Sequence, residues 1–317
     1  MIEVLNLALP YFGLIFIGFA CGKFQRLPEI GLAWMNFFLL YVSLPALFFR
    51  ILAKTPFEQL KNLPFVLATT LATALAFFIA MFGAKLVGRL STREAAMAGL
   101  SGGYGNIGYM GPGLALSMLG AKAAVPVALV FCFDTVFLFS IIPLLMVVTD
   151  GEKRPLLPTI GLILRHILLH PLIVASYCGA LVAAFHIEPP IALDRMLQFL
   201  QSAAAPVALF ALGVTVALRP FQRVPWEVPG MILVKLVIHP LVAFGLLILL
   251  GPFPDGWAAT ALLLASLPPA LNVFVIARQY DTWIEQASTA VLLGTFVSVV
   301  TLTSAMWLIK SGAIVFP

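Results

Sequence analysis

Ten times along its length the sequence runs through about twenty mostly apolar residues, the length that crosses a hydrocarbon core. These stretches are 3–22, 32–52, 63–88, 94–119, 123–148, 159–185, 191–218, 226–250, 256–279 and 286–309. None alternates in the manner of a barrel strand, so they predict helices, which satisfy their own backbone groups in lipid. Composition agrees. The chain is 62% hydrophobic and 10% charged, where a soluble domain is about 25% charged. It cannot cover a globule with polar surface, so an all-α integral membrane protein is expected, with the lipid bilayer as its surroundings. The net charge of +5 then belongs to loops and is not a nucleic-acid signal. No Lys or Arg precedes the first apolar run, which continues to Cys21. That pattern predicts a retained first helix rather than a cleaved signal. Cys21, Cys132 and Cys178 lie in apolar runs without C-x-x-C spacing. They read as buried small hydrophobes, and no metal, disulfide or cofactor is expected.

Lys and Arg set the orientation. The odd-numbered loops hold eleven of them and the opposite side six, with Lys235 left inside a span. The odd loops are therefore expected in the cytoplasm and both termini on the non-cytoplasmic side of the cell membrane. The longest polar interruption, "TDGEKRPLLP" at 149–158, separates 1–148 from 159–317, five spans each. An odd number per half turns a repeated half upside down, the arrangement of many secondary transporters.

Two echoes link the halves. "SLPALFF" carries Pro45 in the second span and "AAPVALF" carries Pro206 in the seventh. The fourth span holds "GLSGGYGNIGYMGPG" around Asn106, and the ninth holds "ASLPPALNVFVIA" with Pro268, Pro269 and Asn272. The offsets are similar, 161 for the prolines and 166 for the asparagines. Proline removes a backbone donor and clashes with the preceding turn, and glycine weakens a helix interior by about 1 kcal/mol. Broken backbone in a membrane needs protein or a wet cavity around it. Two matched breaks predict a midplane binding site, where half-helix N-termini favour an anion. The alternative is that each Asn caps its own half-helix.

The glycine stretch also contains three decoys. Gly99, Ser101 and Gly103 fit a serine-hydrolase motif, and His170 or His239 could serve as base, but the second break is then unexplained. Gly103, Gly105 and Gly108 fit a dinucleotide fingerprint without its preceding strand. Gly103-Tyr104-Gly105 echoes a potassium filter without its Thr-Val. A non-transporting anion sensor is the other alternative.

Asp134, in "VFCFDTVFLFS", is an intramembrane acid and by default a functional candidate. It could exchange a proton or ligate a cation such as sodium. The alternative is a structural hydrogen bond to broken backbone. Lys235 and His239 share one face of the eighth span. Lys235 could pair with Asp134, attract an anion or fix the kink at Pro240. For His239 and His170, each followed by a proline, capping a freed carbonyl is the simpler reading. No aromatic residue is assigned to a ligand.

"GNIGYMGPGLAL", "SLPALFF" and "LPPALNVFVIARQY" resemble the auxin efflux carrier family, which includes plant auxin exporters and many bacterial carriers. The resemblance covers essentially the whole chain. It implies ten transmembrane helices as five-plus-five inverted repeats with helices 4 and 9 broken and crossing, similar to bile-acid/sodium symporters. It further implies a scaffold of helices 1, 2, 6 and 7, a transport domain of helices 3–5 and 8–10, and a homodimer. The family's crossover asparagines map onto Asn106 and Asn272, with Gly105, Pro112, Pro268 and Pro269 near the crossing. The implied substrate is a small organic anion, a carboxylate such as malonate, moved by an elevator-type mechanism, and the protein would not be an enzyme. Only residues 149–158 stand where plant members have a long hydrophilic loop. Gly111-Pro112-Gly113 is richer in glycine than the usual pattern.

Overall fold

A computed structural model describes residues 2–25, 31–56, 58, 61–149, 161, 164–165, 168–218 and 224–316. Residues 150–158 of the connecting loop, and 159–160, 162–163 and 166–167 in the sixth expected span, lie outside these. The described residues are helical throughout, apart from connecting turns and one isolated bridge. The helices are α1 (Ile2–Gln25), α2 (Gly31–Phe38), α3 (Leu44–Ala53), α4 (Leu63–Leu86), α5 (Thr92–Gly103), α6 (Gly111–Leu119) and α7 (Ala124–Thr149). They continue with α8 (Pro171–Ala184), α9 (Ile191–Leu218), α10 (Val228–Leu233), α11 (His239–Leu250), α12 (Trp257–Ala265), α13 (Leu271–Gln279) and α14 (Ile284–Lys310).

Six helical segments among the described residues are long and apolar enough to cross a membrane: Gly31–Ala53, Leu63–Leu86, Gly111–Thr149, Ile191–Leu218, Val228–Leu250 and Ile284–Lys310. Leu9–Gln25 and Pro171–Ala184 are shorter apolar helices. The protein is thus an all-α, multi-pass membrane protein. The expected fourth and ninth spans do not form single rods: they divide into α5 and α6, and into α12 and α13. The breaks fall where glycines and a proline pair interrupt the ladder.

Prolines shape two further helices. Five-residue π turns, Leu39–Ser43 and Val234–Ile238, join α2 to α3 and α10 to α11. Each precedes a proline, Pro45 or Pro240. A proline cannot return a hydrogen bond to the carbonyl four residues back, and the ladder absorbs one extra residue instead.

The chain divides into two compact units. The first comprises Met1–Asn62, Gly108–Leu129 and Leu169–Phe221. Its central seam is α1 on α9, closed by small residues: Gly18 lies against the Phe210 carbonyl, Gly22 against Ala217 and Gly213 against the Ile15 carbonyl. Such approach between helices is how membrane packing gains dispersion energy. Arg50 donates to both carboxylate oxygens of Asp194, at 2.8 and 3.2 Å, and to Gln201 Oε1 at 2.9 Å, while Lys54 reaches Asp194 at 3.1 Å. A Gly213→Ala substitution would force its Cβ onto the Ile15 carbonyl, a backbone atom that cannot turn away. It is expected to destabilise by about 1–3 kcal/mol, read as a lower unfolding temperature in detergent. Gly245→Ala, with open space around it, is expected not to lower it.

The second unit comprises Leu63–Ile107, Val130–Leu168 and Gln222–Pro317. Here α5 starts on a capping box, Ser91 with Glu94, which satisfies two otherwise orphaned donors. Its Gly99, Gly102 and Gly103 pack on Phe77 and Ala80 of α4. Phe65 meets Trp257 edge-on at 4.9 Å between ring centres.

The cysteines depart from expectation. Cys21 and Cys132 are half-buried and Cys178 is exposed, because their helices present those faces outward, where lipid replaces a protein core.

Candidate functional site: two broken helices that meet

Within the second unit, the break after α5 and the break before α13 lie side by side. Gly105 and Pro269 form an antiparallel bridge. The Asn106 N–H donates to the Pro268 carbonyl at 2.8 Å, and the Ala270 N–H donates to the Tyr104 carbonyl at 2.9 Å. Backbone groups that each helix gave up are thus satisfied by the other break, the requirement for irregular chain at membrane depth. Gly294 of α14 packs on the Pro269 ring, where a Cβ would collide.

The two asparagines sit on this bridge. Asn272 is the second residue of α13, and its Nδ2 donates to the Tyr104 hydroxyl at 3.1 Å. Asn106 is 1% exposed, and its Oδ1 has no hydrogen-bond partner among the described residues. The capping alternative fails for both: α6 begins after Met110 and α13 after Ala270, each without a side-chain cap. An unpartnered buried amide oxygen costs about 1–3 kcal/mol, a cost that a bound donor would remove.

Beneath the bridge runs a line of polar side chains. Lys235 Nζ donates to the Ala265 carbonyl, at the end of α12, at 2.6 Å and lies 2.9 Å from His239 Nδ1. His239 Nε2 is 3.4 Å from Thr73 Oγ1, and Thr73 donates to Asp134 Oδ2 at 2.7 Å. One assignment fits all four: the ammonium donates to Nδ1, Nε2–H to Thr73, and Thr73 to the carboxylate. Gly105 is in contact with this lysine, since a Cβ there would lie 3.1 Å from Nζ. The ammonium sits at the negative end of the α12 dipole. Asp134 Oδ1 has no partner among the described residues. It borders a chamber of about 10 Å³, shared with Thr73, His239 and Gly105, room for one water.

These positions revise several expectations. His239 bonds Lys235 and Thr73 rather than a proline-freed carbonyl. Lys235 is linked to Asp134 through two intermediaries, and it also caps a helix end. Tyr104 touches Asn272, although no aromatic was assigned a role. Thr73 and Tyr104 carry no signal in the sequence alone; both are ordinary residues of their spans. Ser101 is fully buried and its Oγ has no hydrogen-bond partner, and so no base in contact, among the described residues.

Pro112 lies in the first unit, in the opening turn of α6, and borders a cavity of about 480 Å³ there. Its polar lining is Asn6, Tyr11, Tyr109, Ser117, Gln201 and Ser202; among the described residues no charged group faces it. Tyr11 donates to the Gly113 carbonyl at 2.7 Å.

Buried polar groups thus gather around broken helices in a multi-pass membrane protein. Residues 4–306 match the family model described as "Membrane transport protein", and the chain belongs to that family, the auxin efflux carrier group. It is a transporter rather than an enzyme. It is 46% identical to a protein of Rhizobium meliloti (strain 1021) named "Putative malonate transporter", over 99% of this chain and 98% of the other. It is 22% identical to the "Uncharacterized transporter YfdV" of Escherichia coli (strain K12), over 96% of each. An "Uncharacterized transporter" of Methanothermobacter thermautotrophicus is 22% identical over 91% of this chain and 93% of the other.

Proposed function

We propose that this chain carries a small carboxylate, of the class to which malonate belongs, across the cell membrane by alternating access. The observation that carries the reading is the pair of hydrogen-bonded breaks with Asn106 and Asn272 on them. Amide groups and the N-terminus of α13 supply donors to an anion without a fixed charge. Gly105, Pro268 and Pro269 form the backbone of the site, and Pro112 opens the helix that follows the first break. The name of the Rhizobium relative supports malonate as the first ligand to try.

The proposal extends to architecture. Ten helices form five-plus-five inverted repeats with both termini on the non-cytoplasmic side. Helices 1, 2, 6 and 7 are the scaffold of a homodimer. Helices 3–5 and 8–10 move against it in an elevator step. Asp134 is the coupling group for a proton, with sodium and uniport as the other outcomes. Uniport of an anion runs outward, favoured by about 2.3 kcal/mol per charge per 100 mV.

The test is flux of labelled malonate in proteoliposomes under an imposed potential. Saturable, carrier-speed flux is expected. Binding without flux would instead identify a sensor, and labelling of Ser101 by a covalent serine probe would revive the hydrolase.

A further inference from the structure

We infer that the form carried is a singly charged carboxylate that also brings a hydrogen-bond donor, such as a half-protonated dicarboxylate or its monoamide. This rests on the carrier reading above and narrows it. Two observations at the bridge carry it. The first concerns charge. Among the described residues Lys235 is the cation there, and it is committed: it holds the Ala265 carbonyl and His239, and its charge is balanced by Asp134 at the other end of the line. A dianion would bring a second charge with nothing among the described residues to balance it, and an uncompensated charge in low dielectric is expensive. A monoanion can be held by amide and backbone donors alone.

The second concerns hydrogen bonds. Asn272 has one more amide hydrogen than the one it gives to Tyr104, and the N–H groups of Leu271 and Asn272 head α13 without a backbone partner among the described residues, while that of Val273 is taken by the Ala270 carbonyl, so a carboxylate finds donors. Asn106 Oδ1 is the opposite case: a buried acceptor without a partner among the described residues. A fully ionised dicarboxylate has only acceptors and leaves it orphaned. A carboxylic O–H or an amide N–H satisfies it. One ligand that is an acceptor at one end and a donor at the other meets both needs.

The experiment is calorimetric binding of malonate, malonamate and monomethyl malonate to the purified protein between about pH 5 and about pH 8, the range spanning ionisation of a second carboxyl. Malonamate is a monoanion with a donor throughout, and the ester is a monoanion without one. Malonamate affinity is expected to stay level. Malonate affinity is expected to fall by about tenfold per pH unit once its monoanion is the minor species. The ester is expected to bind about tenfold more weakly than malonamate, because Asn106 stays unpaired. Malonate affinity that holds or rises with pH overturns the charge argument. A malonamate affinity that falls in parallel with that of malonate also overturns it, because a protein group would then be titrating. An ester equal to malonamate overturns the donor argument. If none of the three binds, the carboxylate-carrier reading fails, and this inference with it.

Discussion

Asn106→Leu and Asn272→Leu are each expected to weaken carboxylate binding by about ten- to a hundredfold, the worth of one hydrogen bond to a charged ligand. The bridge itself should persist in both variants. Its two hydrogen bonds run from the Asn106 and Ala270 backbone N–H groups, which the substitutions leave untouched. Thermal unfolding in detergent checks that point separately from binding. Asn106→Leu also removes an unpartnered buried oxygen, so the empty protein should be no less stable than wild type. Asn272→Leu takes a donor from Tyr104, and Tyr104→Phe reports that part alone. If both leucine variants bind malonate as wild type does, the ligand sits elsewhere.

Lys235→Met is expected to cost about 3–5 kcal/mol of stability, because it leaves Asp134 as a buried charge without its counterpart. The Ala265 carbonyl loses its donor as well. The double variant Lys235→Met/Asp134→Leu is expected to recover most of that loss, since apolar groups of similar volume replace the pair. Denaturant unfolding of the three proteins measures the coupling, and a double variant no more stable than Lys235→Met would mean that the two charges do not sense each other. Asp134→Asn keeps a side chain for Thr73 to bond and removes the charge. If Asp134 carries the coupling proton, flux in this variant loses its response to pH. An unaltered response removes Asp134 from coupling.

Much of this was legible in the sequence. Twenty-residue apolar runs declare membrane helices because lipid offers no hydrogen bonds, whatever the rest of the fold does. Pro45, Pro240 and the glycines near Asn106 act on their own backbone, so the places where helices bend or break could be read locally. The 166-residue offset between Asn106 and Asn272 marked the two breaks as a pair.

What only the tertiary structure decided was which groups meet. Thr73 is one threonine among several in α4, and nothing nearby tells that it joins Asp134 to His239. Tyr104 lies in a stretch that offers three false motifs, and only its contact with Asn272 assigns it to the site. Local sequence suggested that the asparagines cap their own helices and that His239 serves a freed carbonyl. Both readings failed: Asn272 and His239 found partners far along the chain, Tyr104 and Thr73, and Asn106 keeps a buried oxygen without a partner among the described residues. Apolar burial and backbone breaks are properties of a segment with its solvent, so sequence alone determines them. Hydrogen bonds and charge balance in a membrane interior are properties of pairs, and the pairs exist only once the helices have packed.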